Sequence, residues 1–167
     1  VRIAAVHDNE AHSAEDALNA LARSLQESGH HVVGAVQHTV PASSGTNKRM
    51  DLHLIPGGEI VTISASLPPG SPGCVLDPDL FETVSHKVCS RIGDGFDIAI
   101  LSKFGLRETE GRGFRDAIVR VVEHGIPLVI GVSPLRLSAF EDFLGATPDL
   151  LPADPDALQS WFEAAQT

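Results

Sequence analysis

Residues 96–132, FDIAILSKFGLRETEGRGFRDAIVRVVEHGIPLVIGV, carry the pattern that decides the fold. Asp97 to Leu101 is a near-continuous apolar run, Pro127 to Val132 is another, and both have the length of a strand. Unbroken rather than alternating apolarity is expected of strands covered by helices on both faces. Between them, from near Arg112, Phe114, Ile118, Val121 and Val122 recur at helical spacing, and Gly125 stands where that helix should stop. Strand, helix and strand in this order form a β-α-β unit with parallel strands and a right-handed crossover. The turn from Ser102 to Arg115 therefore leaves the carboxyl end of a buried strand, where open α/β sheets bind ligands.

The flanking sequence repeats this grammar. Arg2 to Val6 reads as a buried strand, and Ser13 with Asp16 resembles a capping box opening a helix to about Ser28, with Leu18, Leu21, Ala22 and Leu25 as its apolar stripe. Gly29 ends it, and His31 to Gln37 follows as a second strand. Thr39 to Asn47 reads as loop. Leu52 to Ile55 and Glu59 to Ser64 flank Pro56-Gly57-Gly58, which predicts a hairpin and hence a mixed sheet. After a Pro/Gly-rich stretch, Ala65 to Leu76, Asp77-Pro78 opens a helix to about Ile92. Ser133-Pro134 breaks the strand before it, Leu137 to Leu144 suggests a short helix, and Asp154-Pro155 caps a last amphipathic helix containing Leu158, Trp161 and Phe162. The expected architecture is a three-layer α/β domain, a mostly parallel sheet with a hairpin and helices on both faces, spanning residues 1–167 as one unit.

Composition narrows the function classes. A chain of 167 residues buries roughly 70% of its unfolded surface, enough for a full core. No apolar run approaches the roughly 20 residues of a membrane span, so no membrane partner is expected. The formal charge of −10 argues against nucleic-acid binding, which depends on a basic surface. Two cysteines, Cys74 and Cys89, are too few for a disulfide scaffold or a four-cysteine zinc site, which favours a reduced cytoplasm. Val1 opens directly on a strand-like run, with no charged-then-apolar leader.

Parallel strands point their carboxyl ends to one edge, which aligns His7-Asp8, Gln37-His38, Ser102-Lys103 and Ser133 along one rim. The helix start after His7 is a natural anion site, yet Asp8 and Glu10 would repel a phosphate and the turn lacks the glycines and lysine of a phosphate loop. The Ser102–Arg115 turn has the opposite character. It concentrates Lys103, Arg107, Arg112 and Arg115 in a chain with 12 basic residues, which suits an oxyanion, while Glu108 and Glu110 could instead neutralise them as an exposed ion-pair network. His7, Asp8, His12 and His38 are weak candidates for a divalent metal, because their spacing matches no ligand pattern. Cys74 has no neighbouring base to make it a nucleophile. The sequence carries no strong metal or nucleotide signature, and its cofactor, if any, is open.

The runs SKFGLRETEGRGFRDAI and GIPLVIGV, with GAVQ, MDLHLIPGGEIVTIS and GCVLD before them, resemble a bacterial family catalogued as domain of unknown function 2478, whose members carry an NKFG-x-x-E-x-x-G-x-G pattern. Lys103, Phe104, Gly105, Glu108, Gly111, Gly113, Cys74 and Asp77 match that family, whereas Ser102 stands in place of Asn and Val75 in place of Arg. Asp77 also suits a helix cap and Phe104 a core plug. Family members often lie near genes for molybdate uptake, which implies a role around molybdenum. The layout is more distantly similar to P-loop nucleoside-triphosphatases; on that comparison Ser102 and Lys103 occupy the place of an acidic pair that organises magnesium and water, and Glu108 matches a retained turn glutamate. Phosphoryl transfer needs both the phosphate loop and the magnesium carboxylate, so ordinary ATP or GTP hydrolysis is not expected.

The leading expectation is a non-hydrolysing accessory or ligand-binding protein for a small anion or nucleotide-like ligand, bound by His7, Asp8, His38, Ser102, Lys103, Arg107, Glu108 and Arg112. One alternative is an enzyme with Glu108 or His7 as general base. Another is an interaction module that meets a protein partner through the loop at residues 65–76; a homo-oligomer is a separate expectation.

Overall fold

A computed structural model describes residues 1–41, 43, 47–65, 67–68 and 75–167. Cys74 and most of the Pro/Gly-rich loop at residues 65–76 lie outside the described residues, and with them the interaction reading based on that loop. Seven strands, β1 (Ile3–His7), β2 (Val32–Val40), β3 (Arg49–Ile55), β4 (Ile60–Thr62), β5 (Ile98–Leu101), β6 (Leu128–Gly131) and β7 (Asp149–Pro152), form one sheet in the order β4-β3-β2-β5-β6-β1-β7. The five strands from β2 to β7 in that order run parallel, while β3 pairs antiparallel with both β2 and β4, giving the expected hairpin.

Helices cover both faces because the buried strands are apolar on both. On one face α1 (Ala14–Glu27) and α6 (Pro155–Ala165) press Leu18, Leu21, Leu25, Leu158 and Phe162 against Ala4, Val6, Ile98, Ile100 and Val129. On the other, α2 (Pro78–Arg91), α4 (Arg115–Glu123) and α5 (Pro134–Leu144) pack Phe81, Val88, Ile118 and Phe140 on Val33, Ala99, Leu101 and Ile130. Each such fully buried large side chain stabilises the fold by about 1.5–3 kcal/mol. The capping residues hold: Ser13 Oγ accepts from Asp16 N, and Asp77 Oδ1 accepts from Leu80 N.

Some boundaries differ from the sequence reading. β2 continues to Val40, since its far end still pairs with β3 from His38↔Asp51 to Val40↔Arg49; Thr39 and Val40 are strand rather than loop. The turn after β5 contains a one-turn helix, α3 (Leu106–Thr109), and α4 starts at Arg115 rather than near Arg112. α5 begins at Pro134, three residues before Leu137, because proline at the first position ends β6 and starts the helix at once. β7 was not expected: it is a four-residue edge strand, Asp149–Pro152, held by its register on β1 rather than by an apolar run of its own.

Candidate functional site

β6 and β1 are neighbours, but the chain leaves β1 for α1 on one face and leaves β6 for α5 on the other. Such a divergence opens a crevice at the carboxyl edge of the sheet, the position at which doubly wound folds hold ligands. Here it forms a cavity of about 720 Å³ spanning the ends of the four adjacent strands β2, β5, β6 and β1. His7, Asp8, Gln37, Ser102, Lys103 and Ser133, all on the expected rim, line it. Gly131 lets the strand ends approach: a Cβ there would lie 2.4 Å from the carbonyl oxygen of Ser102.

The first helix N-terminus at this crevice is already occupied. Asp8 Oδ1 accepts from Ala14 N at 2.6 Å, Asn9 Oδ1 accepts from Ala11 N and His12 N, and Ser13 Oγ caps α1. Those N–H groups are the ones an incoming anion would use. Glu15, on the first turn, bonds the backbone N–H and the hydroxyl of Thr39 and so ties α1 to β2. His7 Nδ1 lies 3.0 Å from the carbonyl oxygen of Asp8.

The second wall is the loop from Ser102 to Phe114, and Glu108 organises it. Glu108 is 2% exposed; its Oε1 accepts from Gly105 N at 2.8 Å and its Oε2 from Phe114 N at 2.8 Å, closing the loop on itself. Burial pushes its pKa up, and these N–H bonds and the charge of Lys103 pull against that. Gly113, at φ +64°, is required beside it, because a Cβ would come 1.8 Å from Oε2. Phe104 plugs the core against Phe140 and Phe143. The spaced Phe104, Gly105, Glu108 and Gly113 are thus explained by loop architecture, and among the residues this loop brings to the cavity, Ser102 to Leu106, Ser102 and Lys103 are those with a polar side chain.

Several other candidates do not meet there. Glu108 faces its own loop. Arg112 flanks a separate small cavity of about 30 Å³ beside α2, Arg107 does not line the main cavity, and Arg115 stacks on Phe143 at 5.0 Å. Among the described residues no ion pair joins these arginines to Glu108 or Glu110, so the proposed exposed network is not formed. His38 projects with His53 from the β2–β3 ribbon, ring centroids 5.3 Å apart. Burial and then the neighbouring His38 hold the His53 pKa down, with Asp51 opposing. His12 is exposed, and among the described residues no three His, Cys, Asp or Glu side chains gather as a metal would require, so His7, Asp8, His12 and His38 do not form a ligand set. Sequence reasoning missed Arg136, which lines the cavity from the first turn of α5. The clue was its place, three residues after Ser133 and two after a proline suited to a helix start.

The chain belongs to the family described as Protein of unknown function (DUF2478), whose model matches residues 3–161. It is similar to the molybdenum import ATP-binding protein ModC 2 of Bradyrhizobium diazoefficiens, 26% identical over 161 residues that make up 96% of this chain and 18% of that protein. The chain therefore spans less than a fifth of that relative's length. It is also similar to the solution structure of a human cancer-related nucleoside triphosphatase, with a TM-score of 0.69 and 16% identity over 99% of this chain and 98% of that one. At that identity the likeness concerns the fold, a nucleoside-triphosphatase-like α/β sheet. Among the described residues no helix is long and apolar enough to cross a membrane.

Proposed function

We propose that this member of the family is a ligand-binding accessory domain that holds a small anionic or nucleotide-like molecule in the carboxyl-edge cavity without hydrolysing it. One observation carries the reading: the N-terminus of α1, which follows β1 as a phosphate loop's helix would, is filled by the protein's own Asp8 carboxylate. A phosphate placed there would meet a negative charge and find the Ala14 N–H already bonded. The phosphate-wrapping glycines and lysine are absent from the turn His7 to Ser13, and Ser102-Lys103 brings no carboxylate for magnesium. The resemblance to part of a molybdenum import protein supports a role in molybdenum metabolism, as a module serving a transport machinery rather than powering it.

A thermal-shift panel of nucleotides, molybdate, tungstate and sulfate tests this. A ligand at a hundredfold its Kd stabilises by about 2.7 kcal/mol, worth several degrees in Tm for a domain of this size. A rise with at least one anion, and no phosphate release from ATP or GTP above the blank, is expected. No shift with any of them overturns the proposal.

A second reading, catalysis with His7 as general base, rests on its place in the cavity wall. An imidazole donating its Nδ1 proton to the Asp8 carbonyl presents Nε2 as an acceptor. Glu108 does not share that position, both its oxygens being bonded to backbone N–H. Any turnover found in a substrate screen must fall in His7→Gln for this reading to stand.

A further inference from the structure

Resting on the ligand-binding reading above, we infer that the anionic end of the ligand sits at the N-terminus of α5, and that the ligand is an organic phosphomonoester rather than a free oxyanion or a triphosphate. Apart from the one-turn α3, the N-termini of α1 and α5 border the cavity, and they differ. That of α1 is closed by Asp8 and Ser13; that of α5 starts at Ser133, whose side chain makes no capping bond. Pro134 brings no N–H and Arg136 N donates to the Ser133 carbonyl oxygen at 2.9 Å, so this helix start offers an anion the Leu135 N–H and a positive dipole end.

An independent feature points to the same place. Ser102 is 8% exposed, lines the cavity, and its hydroxyl makes no hydrogen bond to a described residue. The hydroxyl is open to the cavity rather than sealed from solvent, so a ligand oxygen entering there would take the place of water on it. Lys103 and Arg136 border the same wall, and among the described residues neither has an ion-pair partner. The carboxylates of Asp8 and Glu15 stand on the opposite, α1 side. The cavity is thus polarised, with its cationic and donor groups toward α5.

Charge and size define the ligand class. Two cations match one phosphomonoester, which carries about −1.5 to −2 at neutral pH. A triphosphate would bring roughly twice that charge and a magnesium ion for which this wall has no carboxylate. A free tetrahedral oxyanion is not much larger than two waters of about 30 Å³ each, and would leave most of the 720 Å³ open. The mouth is apolar: Leu135 is 81% and Leu106 56% exposed, and both line the cavity. An organic body carried on the phosphate would cover them.

Isothermal titration with adenosine 5′-monophosphate, adenosine, inorganic phosphate and molybdate, each used separately, tests the inference. The monophosphate should bind at least about tenfold more tightly than the other three, and Arg136→Gln and Ser102→Ala should each weaken it by about tenfold or more. Arg107→Gln, a cation outside the cavity, should leave binding unchanged, and unaltered melting curves should show each variant folded. Monophosphate binding that survives both Arg136→Gln and Ser102→Ala overturns the α5 placement and leaves the ligand-binding reading standing. Inorganic phosphate or molybdate binding as tightly as the monophosphate overturns the ligand class. Heat from none of the four overturns the inference, while the reading on which it rests falls only if the thermal-shift panel is silent too.

Discussion

At the scale of single residues, Glu108 shows how a polar motif can serve architecture. A buried carboxylate that accepts two backbone N–H bonds satisfies groups that would otherwise be stranded in the loop, and hydrogen bonds to a charged acceptor are worth about 1.5–3 kcal/mol each. Glu108→Gln keeps the volume but turns an NH₂ toward one of the two donors, so it should cost about 2 kcal/mol. Gly113→Ala should cost at least as much, because its Cβ would overlap Oε2 at a positive φ. Urea denaturation checks both: a lowered midpoint with an unchanged slope is expected, and a wild-type midpoint in either variant would show that the carboxylate does not hold the loop. That role was not readable beforehand. Sequence placed Glu108 among arginines in a turn, and only the folded loop brings Gly105 and Phe114 to its two oxygens.

At the scale of elements, the β-α-β units were legible because their periodicity is strong: Leu18, Leu21 and Leu25 define α1, and Ile98 to Leu101 can only be a doubly covered strand. β7 and α3 were not legible. Asp149–Pro152 is largely exposed and ends in proline, and Leu106–Thr109 is too short for a stripe, so tertiary partners decide both. The β3–β4 hairpin was visible in its turn residues, but not the group that links its strands. Asp51, 4% exposed, accepts from Arg49 and, across the hairpin, from Thr62 Oγ1 at 2.8 Å. Burial pushes its pKa up, but the bonds from Arg49 and Thr62 pull it further down, to a net value below the ordinary aspartate range. A depressed folded pKa stabilises above the unfolded value and loses that contribution as pH falls through the folded one, here below about pH 4. Asp51→Asn should therefore melt well below wild type at pH 7, with the gap narrowing toward pH 3. A gap that stays constant across circular-dichroism melts at those pH values would remove Asp51 from the hairpin's acid sensitivity.

At the scale of the whole molecule, the position of the cavity was legible and its chemistry only partly so. Strand order alone predicts that His7, Ser102, Lys103 and Ser133 share an edge, and they do. It does not predict that the Asp8 carboxylate closes one helix N-terminus while α5 leaves another uncapped, because both depend on how the turns fold after β1 and β6. The resulting molecule keeps a nucleoside-triphosphatase-like scaffold and, in our account, uses the crevice for binding alone. A ³¹P NMR spectrum of adenosine 5′-monophosphate and magnesium ATP together, recorded with and without the protein, reads binding and hydrolysis at once. The account predicts that the monophosphate resonance broadens or shifts, more in wild type than in Arg136→Gln, while no inorganic phosphate accumulates. Inorganic phosphate growing in proportion to protein, or a monophosphate resonance that the protein leaves unmoved, would contradict it.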